Sequence, residues 1–146
     1  MASSLSNKIR YCTAKKKVDY SSDSFKAILM DSGFSFNKDT HHAFADVSAN
    51  ELATGNGYTQ DTKVLTGVTV TENDTDDTCD IEWATVTWLA SGGEIGPTPG
   101  MIIYDDTVTL DGDVPADPIV GYVDFGTEIT QADGGSLTIN DLKVTL

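Results

Sequence analysis

Along most of the chain, short runs of β-branched and aromatic residues are cut off by clusters of Gly, Pro, Asn and Asp. A strand needs only about 4–8 residues, whereas a stable helix needs roughly 10–12 of sustained periodicity, so this punctuation favours sheet. The runs are F-K-A-I-L-M at 25–30, T-K-V-L-T-G-V-T-V-T at 62–71, C-D-I-E-W with A-T-V-T-W at 79–88, M-I-I-Y at 101–104, P-I-V-G-Y-V-D-F at 118–125 and the closing S-L-T-I-N-D-L-K-V-T-L at 136–146. Cys79, Ile81 and Trp83 alternate onto one face, and Ala84, Val86 and Trp88 share that face only if a bulge near Trp83 and Ala84 switches the side. Ser91 to Gly100 is the strongest loop signal, and Pro118 fits only the first or an edge position of its strand. One brief helix is expected after Asp39 or Thr40, carrying Phe44 and Val47 on one side. The predicted class is all-β: an antiparallel β-sandwich or barrel-like domain of about seven strands with one short helix, preceded by an extended N-terminal arm.

Charge divides the chain in two. Lys and Arg number 9 against 23 Asp and Glu, for a formal charge of −14, yet Lys8, Arg10, Lys15, Lys16 and Lys17 all precede the first acidic residue, Asp19. The expected organisation is a basic arm over residues 1–20 and an acidic β domain over 21–146. An acidic body repels phosphates, which makes nucleic acid an unlikely partner. No apolar run approaches the roughly 18 residues needed to span a bilayer, and residues 1–20 lack a signal-peptide core, so a soluble protein made in a cytoplasm is expected, with no membrane partner. Cys12 and Cys79 are expected to be free thiols in such a compartment.

The motifs that invite chemistry each have a plainer reading. G-N-G-Y-T at 55–59 lacks the Lys of a phosphate loop and precedes a strand where such a loop precedes a helix, so it reads as a turn with Asn56 between two glycines. Asp74, Asp76, Asp77 and Asp80 miss the calcium-loop spacing, with Cys79 and Thr85 where Gly and Glu are needed; Asp111, Asp113 and Asp117 form a second solvated loop. His41 and His42 lie beside no nucleophile motif. Trp83, Trp88, Tyr104, Tyr122 and Phe125 sit in predicted strands, where core packing is the common fate of aromatics. No catalytic residue, metal ligand or cofactor is assigned, and the chain is read as a non-enzyme. The basic arm is the one feature set aside as a binding element, with Lys8, Arg10, Lys15, Lys16 and Lys17 expected to clasp an acidic partner or another copy's body.

Taken in order, F-A-D-V-S-A-N-E-L-A-T-G-N-G-Y-T, L-T-G-V-T-V-T, V-T-W, I-I-Y-D-D and P-I-V-G-Y-V-D-F-G resemble a family of small structural proteins of tailed bacteriophages. The resemblance runs from about Phe25 to Leu146 and leaves the arm outside. It implies a virion component, foremost a capsid decoration or cement protein that sits on the head surface, binds the major capsid protein and stabilises the shell, with self-association into trimers as the first expectation. A tail or neck location is the alternative within that class. From another class, the alternative is a carbohydrate or host-surface binding module using exposed aromatics.

Overall fold

The computed structural model describes residues 2–146, and it is mostly strand with short helices, in antiparallel sheets. The elements run β1 (Ala2–Leu5), α1 (Asn7–Ala14), β2 (Phe25–Leu29), α2 (Phe44–Val47) continued by a 3₁₀ turn (Ser48–Asn50), β3 (Lys63–Val64), β4 (Thr69–Asn73), β5 (Thr78–Trp83), β6 (Val86–Leu89), β7 (Ile95–Asp105), β8 (Ile119–Gln131), β9 (Ser136–Ile139) and β10 (Leu142–Thr145). They form a five-stranded sheet in the order β1-β8-β7-β2-β3, a three-stranded sheet β10-β5-β4 and a pair β6-β9. The all-β antiparallel class expected from the sequence is the one observed.

The five-stranded sheet is covered on both faces, which explains why its inner strands are continuous apolar runs rather than alternating ones. Ala27, Leu29, Met101, Ile103, Val120 and Val123 point into the main core, against Ile81, Trp83, Val86, Trp88, Leu137, Ile139, Leu142 and Val144 of the smaller sheets. Ile28, Met30, Ile102, Tyr104, Ile119 and Tyr122 point the other way, under residues 31–50, which lay Phe34, Phe36, Phe44 and Val47 over them. Each inward Leu or Ile of this kind contributes about 1.5–3 kcal/mol on burial.

Several local expectations change on meeting the fold. The β-branched run at 62–71 divides into β3 and β4, which belong to different sheets, with Leu65 buried at the crossing. In place of a bulge at Trp83 and Ala84, β5 ends and β6 begins after Thr85, and the partner chain breaks opposite, between β9 and β10. Thr85 donates to Asn140 across the paired break at 3.1 Å. The loop expected up to Gly100 ends at Glu94, and β7 begins at Ile95. Pro97 and Pro99 supply no N–H, so pairing with β8 slips register between Ile95 and Thr98 and again before Gly100. Sequence punctuation marked that irregularity correctly but misread it as absence of strand.

The extended arm is the largest difference. Residues 2–5 pair with β8, from Ala2 opposite Asp124 to Leu5 opposite Gly121, and α1 turns Ile9 and Cys12 fully into the main core. The reason is visible in the residues: Ser6 caps the helix, its hydroxyl accepting the Lys8 amide at 3.3 Å, and Ile9 and Cys12 stand three apart on one face. The segment read as a charged tail is a short amphipathic helix whose apolar stripe is two residues wide.

Candidate interaction surface

Because Ile9 and Cys12 fix the inner side of α1, Arg10, Tyr11 and Ala14 are turned outward, Lys8 and Thr13 are half-buried at its margins, and Lys15 to Lys17 follow exposed. Tyr11 is part of that outer face, with the ammonium of Lys8 at 4.6 Å from its ring centroid and that of Lys15 at 5.8 Å. Lys17 pairs with Asp111 at 2.5 Å, tying the segment after the helix to the acidic loop between β7 and β8. The five residues singled out from the sequence are therefore on one segment, but three of them are engaged within the chain.

Elsewhere the cations are also used internally. Lys26 bridges Asp106 at 3.1 Å and Asp61 at 3.4 Å, Lys143 pairs with Asp80 at 2.6 Å, and Lys63 lies over Trp88 and donates to the Thr87 carbonyl. Among the described residues, Arg10, Lys16 and Lys38 are left with neither a carboxylate at ion-pair distance nor an aromatic ring. Arg10 and Lys38 line the same groove of about 350 Å³, together with Ser3, Ser4, Leu5, Asn7 and Thr145. Lys38 is brought there by the backbone: the Asn7 amide donates to its carbonyl at 3.0 Å, and Asn7's side chain holds Asp39. Nothing in the sequence placed Lys38 beside the N-terminal cations, since the two are joined only through this long-range contact.

The remaining candidates are architectural. Asn56 and Gly57 form the two-residue turn of a small hairpin closed by mutual Gly55 and Tyr58 amide–carbonyl bonds of 2.9 Å. A Cβ on Gly57 would stand 2.0 Å from the Leu89 carbonyl, so the turn is seated against β6, and Asn56 donates to the Glu94 carbonyl at 2.9 Å. Asn73 organises the β4–β5 turn by accepting the Thr75 and Asp76 amides, while Asp80 is held by Lys143 and Thr145, which together keep its carboxyl below the usual range. His41 stacks on Phe34 with centroids 5.5 Å apart and accepts the Asn37 amide; His42 contacts the Asp39 carbonyl. Trp83, Trp88, Tyr104 and Tyr122 are buried, and Phe125 packs partly against the core. Both cysteines are free; burial of Cys12 pushes its thiol up, away from the reactive thiolate form.

Two buried carboxyl sites were not legible as such. Glu51 accepts the Tyr58 hydroxyl at 2.7 Å and the Asp61 amide at 2.8 Å, and that hydroxyl in turn accepts the Leu29 amide at 3.0 Å. Burial, opposed by these bonds, raises the Glu51 pKa. Asp105 is the last residue of β7 and has no exposed surface. Its Oδ1 accepts the Thr107 amide at 2.8 Å and its carboxyl neighbour is Asp23; burial, reinforced by Asp23, pushes its pKa up to about 7.

Among the described residues no group of His, Cys, Asp and Glu is arranged to hold a metal ion, and no helix is long and apolar enough to cross a membrane. No protein-family model, curated protein or solved structure matches the chain.

Proposed function

We propose that the chain is a non-enzymatic structural protein of a phage virion, a decoration or cement protein that binds the assembled head through its N-terminal basic face. The observation that carries this reading is the distribution of charge over the fold: a chain of net charge −14 keeps its unpaired cations together on and beside α1, which is anchored in the core by Ile9 and Cys12. Such a face recognises an acidic surface by complementary potential, while the acidic remainder keeps loaded particles apart. A protein that binds only the assembled shell opposes its disassembly by RT ln(1 + [L]/Kd) per site, and many sites multiply a modest gain. The major capsid protein is the partner in this reading, and a trimer over a threefold position is the first arrangement to seek.

The test is occupancy. Heads mixed with the purified chain are imaged by cryo-electron microscopy, alongside a variant with Lys8, Arg10, Lys15 and Lys16 all reversed to Glu. Density at hundreds of copies per head that disappears with the variant is the expected result. A dozen or fewer copies moves the protein to the tail or neck, and undiminished occupancy removes the basic face from the attachment. Deleting residues 1–17 is not an equivalent experiment, because it also removes Ile9 and Cys12 from the core.

A further inference from the structure

We propose that the groove between Arg10 and Lys38 is a carboxylate-binding slot, and that its occupant is an extended acidic segment of a partner protein. The inference deepens the attachment reading and rests on it only for the partner being the shell.

Three observations converge. Arg10 and Lys38 come from parts of the chain far apart in sequence, line one groove, and are cations that no acid among the described residues neutralises at ion-pair distance. Ser3 and Ser4 supply hydroxyl groups along the same groove, so a carboxylate entering it meets an Arg fork, an ammonium and neutral donors together, while Asn7 and Thr145 line it with side chains already donating to Asp39 and Asp80. The groove also follows a seam: β1 pairs only with β8 and β10 only with β5, and these two strands lie side by side with no ladder between them. The groove follows this seam, which gives an extended occupant a path to lie along. A second groove of about 690 Å³ continues the seam past the shared residues Ser3 and Thr145 towards Lys143.

The seam is specific to the seating of β1. A Cβ on Gly121 would come within 2.5 Å of the Ser4 carbonyl, so β1 lies as close to β8 as it does only because residue 121 has no side chain. The acids at the margin set the selectivity. Asp39 is held on Asn7, and Glu82 and Asp141 border the far end, so binding is confined to the Arg10–Lys38 half. The net charge of −14 argues for an acidic peptide over nucleic acid: a polyphosphate chain carries its charge well beyond the groove and is repelled there, whereas a segment with two or three carboxylates is not.

The experiment is an amide NMR titration of the intact chain at low salt with an acetylated, amidated hexapeptide of alternating Glu and Gly, which carries three carboxylates, beside a single-stranded oligonucleotide of equal charge. Shifts concentrated at Ser3, Ser4, Asn7, Arg10, Lys38 and Thr145 are expected, weakened at least about tenfold in R10E/K38E and kept within a few-fold in R10K/K38R. Shifts spread evenly to Lys63 and Lys143, an unchanged affinity in R10E/K38E, or tighter binding of the oligonucleotide would overturn the assignment. The shell assay separates the two readings. A chain that binds the peptide in the groove but never decorates heads keeps the slot and loses the attachment role; heads decorated equally by R10E/K38E lose the slot and keep the role.

Discussion

At the scale of single residues, the most consequential side chain is one that composition disguises. Asp105 is one of many aspartates, yet it is enclosed at the end of β7 beside Asp23, between the acidic loop and the linker that follows α1. Two neighbouring bonds tie that linker down: Ser24 donates to the Thr107 hydroxyl at 2.7 Å and the Asp106 amide donates to the Ser24 carbonyl at 2.8 Å. An ordinary aspartate in the unfolded chain titrates near 3.9. With the folded value raised to about 7, folding takes up a proton at any pH between the two. The stabilisation is therefore fully present below the unfolded pKa and lost as pH rises towards 7, the reverse of the usual carboxylate. Denaturant midpoints measured from pH 4.5 to 8 are expected to fall for the natural chain by the equivalent of about 1–3 kcal/mol, since each tenfold change in proton affinity is worth about 1.4 kcal/mol. Asp105→Asn should flatten that slope, because the amide is neutral throughout. An Asn variant that retains the whole slope would place the titration elsewhere. Such sites are invisible in sequence because an Asp at a strand end and one in a solvated turn are spelled alike; only the packing of Val18–Ser24 against the turn decides it.

At the scale of elements, what could be read depended on whether a segment's pattern was local. The inner strands β2 and β7, the hairpin at Asn56 and Gly57 and the brief α2 were legible because apolar runs and turn residues carry their own physics. The cap of α2 was misplaced: Asp46 reaches back to accept the His42 and Ala43 amides, both at 2.9 Å, so the capping acid lies inside the helix where Asp39 or Thr40 was expected before it. α1 was missed for a different reason. A stripe of only Ile9 and Cys12 among cations does not register as amphipathic until the core that receives it is known, and eight residues are too few to hold a helix alone. It follows that α1 depends on tertiary packing. Ile9→Ala, which empties a fully buried position, should cost about 2–4 kcal/mol in urea denaturation. It should also speed amide exchange in residues 2–14 more than in β7. Loss of stability below about 0.5 kcal/mol would mean that the segment is peripheral after all.

At the scale of the whole molecule, charge acts in two opposite directions, and salt separates them. Within the chain, acids outnumber bases by 23 to 9, and most acids lie exposed on turns, where mutual repulsion opposes compaction. Between molecules, the proposed attachment uses the cations gathered near α1, and an attraction of that kind is exposed to solvent and hence screened. Raising sodium chloride from about 20 to 300 mM shortens the Debye length from roughly 20 Å to under 6 Å. The isolated chain is then expected to gain a few degrees in its thermal midpoint, as repulsion within the body fades faster than its close pairs such as Lys143–Asp80 and Lys17–Asp111. Over the same range its affinity for heads, or for the acidic peptide, should fall by tenfold or more. Opposite slopes from one titration are a signature that a purely apolar docking surface does not give. In that case affinity would hold or rise with salt, and the basic face would be no more than the solvated side of a structural helix.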